Sequence, residues 1–143
     1  MIKAVLLDLD DTLLGNNDQP FLQAYFQAVK TFFDERHLPG IAPAIINTLQ
    51  PMQTSQDYHL TNTDVALARI AGEVGRPPAD LAPHFHDFYT HTFPTLRPLT
   101  TRRPAAADLY HSLKNQQLAV IIATNPVYPA TAIYQRLSWA GLP

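Results

Sequence analysis

The chain has 143 residues, a formal net charge of −2, no cysteine, 46% hydrophobic residues and 15% charged residues. Its length suits one ordinary domain, and its composition excludes a disordered or low-complexity chain. Charge without a long run of either sign leaves no nucleic-acid footprint. The lack of cysteine excludes disulfides and thiolate metal sites and fits a cytoplasmic setting. No apolar run is long enough to span a bilayer.

The first ordered stretch is an apolar run from Ile2 that ends in acid. Val5, Leu6 and Leu7 read as a strand buried on both faces, as in parallel sheets. The N-terminus enters this strand directly and is broken by Asp8, unlike a signal peptide. Asp8, Asp10 and Asp11 crowd the strand's carboxyl end, where open α/β sheets place their ligand crevice. Three close carboxylates repel one another and are costly to desolvate. A hard cation such as Mg²⁺, which takes oxygen ligands, would relieve both problems.

Gly15-Asn16-Asn17-Asp18 is turn chemistry. Phe21, Leu22, Tyr25, Phe26, Val29, Phe32 and Phe33 then recur at helical spacing to about His37. That aromatic face suits packing against other helices, with a substrate-facing role open for one ring. Ala42 to about Gln53 predicts a short helix whose end Pro51 disturbs. Asn62-Thr63-Asp64 opens a third helix and Gly75 closes it. Pro78-Ala79-Asp80 opens a fourth, carrying Leu81, Phe85, Phe88, Tyr89 and Phe93. The thirteen prolines are about twice the usual share and fall mostly between these helices, as firm breaks.

Within the fourth helix, His84 and His86 point to different faces, and only Asp87 and His91 share one. Surface histidines explain the segment better than a zinc site. Arg97, Arg102 and Arg103 read as surface residues of a linker and stay outside the site. Pro104 to Gln116 predicts a helix with proline at its first position. Leu118 to Ala123 predicts a second fully buried strand. It ends at Thr124-Asn125, followed by a helix starting near Pro126 and closed by Gly141. A hydroxyl and an amide thus sit at a second strand end, beside a helix N-terminus that favours anions.

The run Val5-Leu6-Leu7-Asp8-Leu9-Asp10-Asp11-Thr12-Leu13, followed after a helical insert by an apolar strand ending in Thr124, resembles the first two motifs of the haloacid dehalogenase superfamily. Most members are Mg²⁺-dependent phosphatases. The resemblance implies that Asp8 is the nucleophile and forms an aspartyl phosphate. Asp10 would be the general acid/base, Asp8 and Asp10 would hold Mg²⁺, and Thr124 would bond the transferred phosphoryl group with Asn125 beside it. A carboxylate nucleophile splits one hard displacement into two easier ones. An Asp two residues after the nucleophile favours phosphate chemistry over dehalogenation, because a halide leaving group needs no proton.

The implied fold is α/β: a Rossmann-like parallel sheet core, incomplete and holding the first two core strands, with an inserted all-α helical cap. The core would span residues 1–14 and 99–143, and the cap 15–98. Hinges are expected near Leu14 to Asp18 and near Arg97 to Arg103, so that the cap closes over the site and excludes water. The substrate would be a small phosphorylated metabolite.

The family's third motif, a Lys or Arg, and its fourth, an acidic pair, have no match. After Thr124 only Arg136 is basic, inside the helix following the second motif, and no Asp or Glu occurs. The expectation is therefore an N-terminal portion of such an enzyme. Its bare sheet edges invite self-association or a completing chain. The alternative is a non-catalytic binding or assembly module of the same shape. A receiver domain also clusters acids at strand ends, but the long helical insert argues against it.

Overall fold

The computed structural model describes residues 2–16, 18–54, 57, 59–125 and 127–143. Two short sheets and six α-helices alternate in the order β1 (Ala4–Leu7), β2 (Leu14–Asn16), α1 (Asp18–Asp34), α2 (Ile41–Thr54), α3 (Asn62–Val74), α4 (Pro78–Asp87), β3 (Thr100–Arg102), α5 (Pro104–Asn115), β4 (Ala119–Ile122) and α6 (Ala130–Ala140). The class is mixed α/β with helix predominating. No helix among the described residues is long and apolar enough to cross a membrane.

The first and last strands find each other across the helices. β1 and β4 pair in parallel, Ala4 with Ala119 through Leu7 with Ile122. The apolar content of both segments was expected to be buried on two faces. Only one face is covered among the described residues: Leu6 is 63% exposed and Ile121 48%. Their neighbours Val5, Leu7, Val120 and Ile122 are half-buried. Alternation therefore replaces double burial, as on a sheet covered on one side.

The segments expected as hinges are held together. β2 and β3 form an antiparallel ribbon, with Leu14 opposite Arg102, Gly15 opposite Thr101 and Asn16 opposite Thr100. Gly15 and Asn16 are thus strand residues where a turn was expected; Asn17 lies outside the described residues. A Cβ on Gly15 would stand 3.1 Å from the Thr101 carbonyl oxygen, so glycine permits the close crossing.

The helices follow their apolar spacing with shifted ends. α2 runs through Pro51 to Thr54; the proline sits in the last turn, where the single lost bond is tolerable. α3 is capped by Thr61, one residue before the expected opening. The Thr61 hydroxyl accepts from the Asp64 backbone N–H, and the Asp64 carboxylate accepts from the Thr61 N–H. The Thr61 hydroxyl, and next its backbone N–H, donate to the Asp64 carboxylate and hold that carboxyl below its ordinary value. Gly75 ends α3 in the left-handed region, with φ of 65°. Beyond α4 the backbone widens to a π-helical turn over Phe88–Thr92 and tightens to 3-10 geometry over Phe93–Leu99. α6 begins at Ala130, and the expected start at Pro126 lies outside the described residues.

The core is aromatic. Phe21, Tyr25, Val29 and Phe33 line the buried face of α1 and meet Phe88 and Phe93. Phe93 stacks on Trp139 of α6 at 5.4 Å, with the rings 18° from parallel. That stack fastens the helical layer to the part of the chain carrying β4.

Candidate active site at the carboxyl ends of the parallel strands

The Ala123 N–H donates to the Leu7 carbonyl at 2.8 Å, extending the parallel register by one step. Asp8 and Thr124 therefore follow directly from neighbouring strand positions. The chain then makes a tight turn. The Leu13 and Leu14 N–H groups both donate to the Leu9 carbonyl, each at 3.0 Å, and Asp11 adopts φ of 55°. Leu9, Leu13 and Leu14 are fully buried beneath the turn. Burying these leucines turns Asp8 and Asp11 outward, where both are exposed, while Asp10 stays half-buried.

The three carboxylates have separate partners. Asp8 accepts from the Thr12 hydroxyl at 3.3 Å. Asp11 accepts from the Asn16 N–H at 3.1 Å and from Arg103 at 3.2 Å, which ties the turn to the returning chain. Arg103 thus contacts the acidic turn and is more than a surface residue of the linker. Asp10 faces inward. The Asn16 amide donates to its Oδ1 at 2.8 Å, and Arg136 donates to Oδ2 at 3.3 Å and forms an ion pair with Oδ1.

Arg136 is the residue that sequence reasoning left aside. Its side chain is only 2% exposed. The guanidinium also donates to the Asn16 side-chain oxygen at 3.1 Å and lies 5.3 Å from the Tyr128 ring and 5.6 Å from the Phe21 ring. Aromatic faces attract such a cation. A signal for this placement existed: Ala132 and Ala140 flank Arg136 at four-residue spacing, and both are fully buried. An arginine in a stripe of small buried residues points inward, with the alanines leaving room for it.

Thr124 is half-buried and Asn125 exposed beyond β4, and the Val127 N–H returns to the Asn125 carbonyl at 2.9 Å. The structure brings Asp8, Asp10 and Thr124 to one end of the parallel pair. It does not gather ligands for a metal: among the described residues, no three His, Asp or Glu side chains converge. Both oxygens of Asp10 are turned to Arg136 and Asn16, and a guanidinium is a poor neighbour for a divalent cation. In this arrangement Asp8 alone offers a carboxylate, so the side chains do not fit Mg²⁺ as they stand. Asp87 and His91 approach within 3.8 Å, and Arg36 donates to Asp87 at 3.1 Å, away from this site.

Comparison with protein-family models, curated proteins and solved structures returned no match.

Proposed function

We propose that this chain is the phosphoryl-transfer end of a phosphatase-like hydrolase acting on a small phosphomonoester. The supporting observation is the side-by-side ending of β1 and β4, with Asp8 exposed beyond one strand and Thr124 beyond the other. The parallel pair is then the beginning of a Rossmann-like core, and α1 to α4 form its cap on the β2–β3 ribbon.

In this reading an Asp8 oxygen attacks phosphorus as the bond to the leaving oxygen breaks. That oxygen takes a proton from Asp10. Water then adds to the phosphorus of the aspartyl phosphate and yields its proton to Asp10. The Asp8–phosphorus linkage breaks and inorganic phosphate leaves. Thr124 donates its hydroxyl to a phosphoryl oxygen, with Asn125 beside it. Such a reaction is catalysed mostly by positioning and by stabilising a spreading negative charge.

The Arg136–Asp10 contact favours the second reading, a non-catalytic module of the same shape. A guanidinium can only donate, so the Asp10 oxygens that it holds serve as acceptors. Proton transfer by Asp10 requires the carboxyl to turn away from Arg136.

Hydrolysis of 4-nitrophenyl phosphate with added Mg²⁺ separates the two, with Asp8→Asn as the control. Turnover lost in the variant supports the hydrolase. Turnover no higher than that of the variant supports the module.

A further inference from the structure

A mainly apolar cavity lies away from the acids. It measures about 230 Å³ and lies inside the helical layer. Ile45 and Met52 of α2, Leu67 and Ile70 of α3, and Phe85 of α4 supply its apolar wall. The segment from Val127 to Pro129, just beyond Thr124 and Asn125, closes one side of it.

We infer that this cavity is a binding site for an uncharged, mainly hydrocarbon group about the size of a substituted ring, carrying one hydroxyl. Three observations carry this. The first is size: an apolar cavity of about 150 Å³ stays dry and accepts benzene, so this one has room for a ring with a substituent. The second is charge. Apart from the exposed His86 imidazole, its lining holds no Lys or Arg and no carboxylate among the described residues, and an ion buried there without a partner would be strongly disfavoured. The third is its polar fringe, which is made of hydroxyl and amide groups and the His86 imidazole. The hydroxyls of Tyr25 and Tyr89, both lining residues, meet at 2.8 Å. That bond uses one of their two protons; the other has no acceptor among the described residues and can serve a ligand oxygen.

Apolar pockets with a few convergent polar groups are the usual form of small-molecule sites. The group has two possible sources: a free molecule, or the leaving group of a phosphoester held at Asp8. Only the second source rests on the phosphatase reading.

The test titrates 4-methylphenol, a neutral ring with one hydroxyl, into the full 143-residue chain, followed by NMR of the Ile45, Met52, Leu67 and Ile70 methyl groups. Saturable shifts confined to these methyls are expected, with benzoate, a charged ring of similar size, giving none. Ala66→Trp, which fills the cavity from α3, should weaken binding of 4-methylphenol by about tenfold or more. Ala66→Leu serves if the larger variant does not fold. Absence of saturable shifts in the parent chain overturns the site. So does equal binding of benzoate, or unchanged binding in a folded cavity-filling variant.

The source is read with 4-methylphenyl phosphate on the Asp8→Asn chain. Shifts at both the cavity methyls and the Thr12 and Thr124 amides assign the cavity to a leaving group. Shifts at those amides alone, while 4-methylphenol still fills the cavity, assign it to a free molecule. If 4-methylphenol binds and the ester perturbs neither amide, the cavity stands and the phosphatase reading falls. If the ester is hydrolysed by the parent chain and 4-methylphenol does not bind, the reverse holds.

Discussion

Arg136 lies buried behind Asp10, and its guanidinium reaches both oxygens of that carboxylate from 126 residues further along the chain. The pair joins α6 to the turn after β1. A buried cation deprived of its counter-ion is strongly destabilising, by about 3–5 kcal/mol. Asp10 is 41% exposed, so water offsets part of that loss.

Asp10→Ala should therefore destabilise the chain by roughly 3 kcal/mol, at the lower end of that range. Arg136→Met in the Asp10→Ala background should recover most of it, because no charge is then stranded. Urea unfolding of the two single variants and the double variant measures the coupling. Additive losses would mean that the pair is not a thermodynamic unit.

Gly141 closes α6 with φ of 82°, and a Cβ there would stand 2.6 Å from a guanidinium nitrogen of Arg102. Gly141→Ala should cost about 1–2 kcal/mol from the left-handed backbone, plus the displacement of Arg102. Arg102→Ala in the same chain should relieve only the second part. Thermal melting of the three variants separates backbone strain from collision.

Tyr25 and Tyr89 are buried, and burial pushes both phenols above their ordinary value of 10.0. The folded chain therefore keeps these protons above about pH 10, where the unfolded chain releases them. Protons bound in excess by the folded state make stability fall as pH rises, so this contribution is complete below pH 10 and is lost above it. Stability measured from pH 8 to 11 should drop more steeply in the parent than in the Tyr25→Phe, Tyr89→Phe double variant. At pH 7 the single Tyr25→Phe variant should lose about 1–3 kcal/mol, because the Tyr89 hydroxyl loses its buried partner. The double variant should lose less.

Leu6 and Ile121 stand exposed on neighbouring strands, and each strand of the parallel pair has a free edge among the described residues. Apolar strands with free edges pair with other chains. Sedimentation of the 143-residue chain should show concentration-dependent association, and Leu6→Lys should shift it toward monomer. A parent chain that remains monomeric at high concentration would leave the exposed face without this role.

The helices were legible because their signals are local. Asn62-Thr63-Asp64 and Gly75 bracket α3, whose cap lies one residue earlier at Thr61, and the aromatic spacing of α1 names its buried face except at Leu22, which is exposed. Both parallel strands were legible from their apolar runs, and their shared end followed from acids and a threonine at matching places. What escaped depends on distant partners. The β2–β3 ribbon joins Leu14–Asn16 to Thr100–Arg102, and neither triplet has the alternation of a strand. The exposure of Leu6 and Ile121 cannot be read from residues that are themselves apolar. Arg136 was placed in the right helix, and its flanking alanines point it inward, but its partners Asp10, Asn16 and Tyr128 lie outside its own turn of α6.

The pairing of Ala4 with Ala119 also sets a timetable for synthesis. A ribosome adding about 5–20 residues per second leaves the first strand without its partner for roughly ten seconds. During that interval α1 to α4 emerge and can collapse on their own aromatic face, while Val5, Leu6 and Leu7 remain exposed to any passing strand or chaperone. The acidic turn receives its buried counter-charge later still, when α6 emerges. The acidic turn is thus made well before the helix that supplies its buried partner.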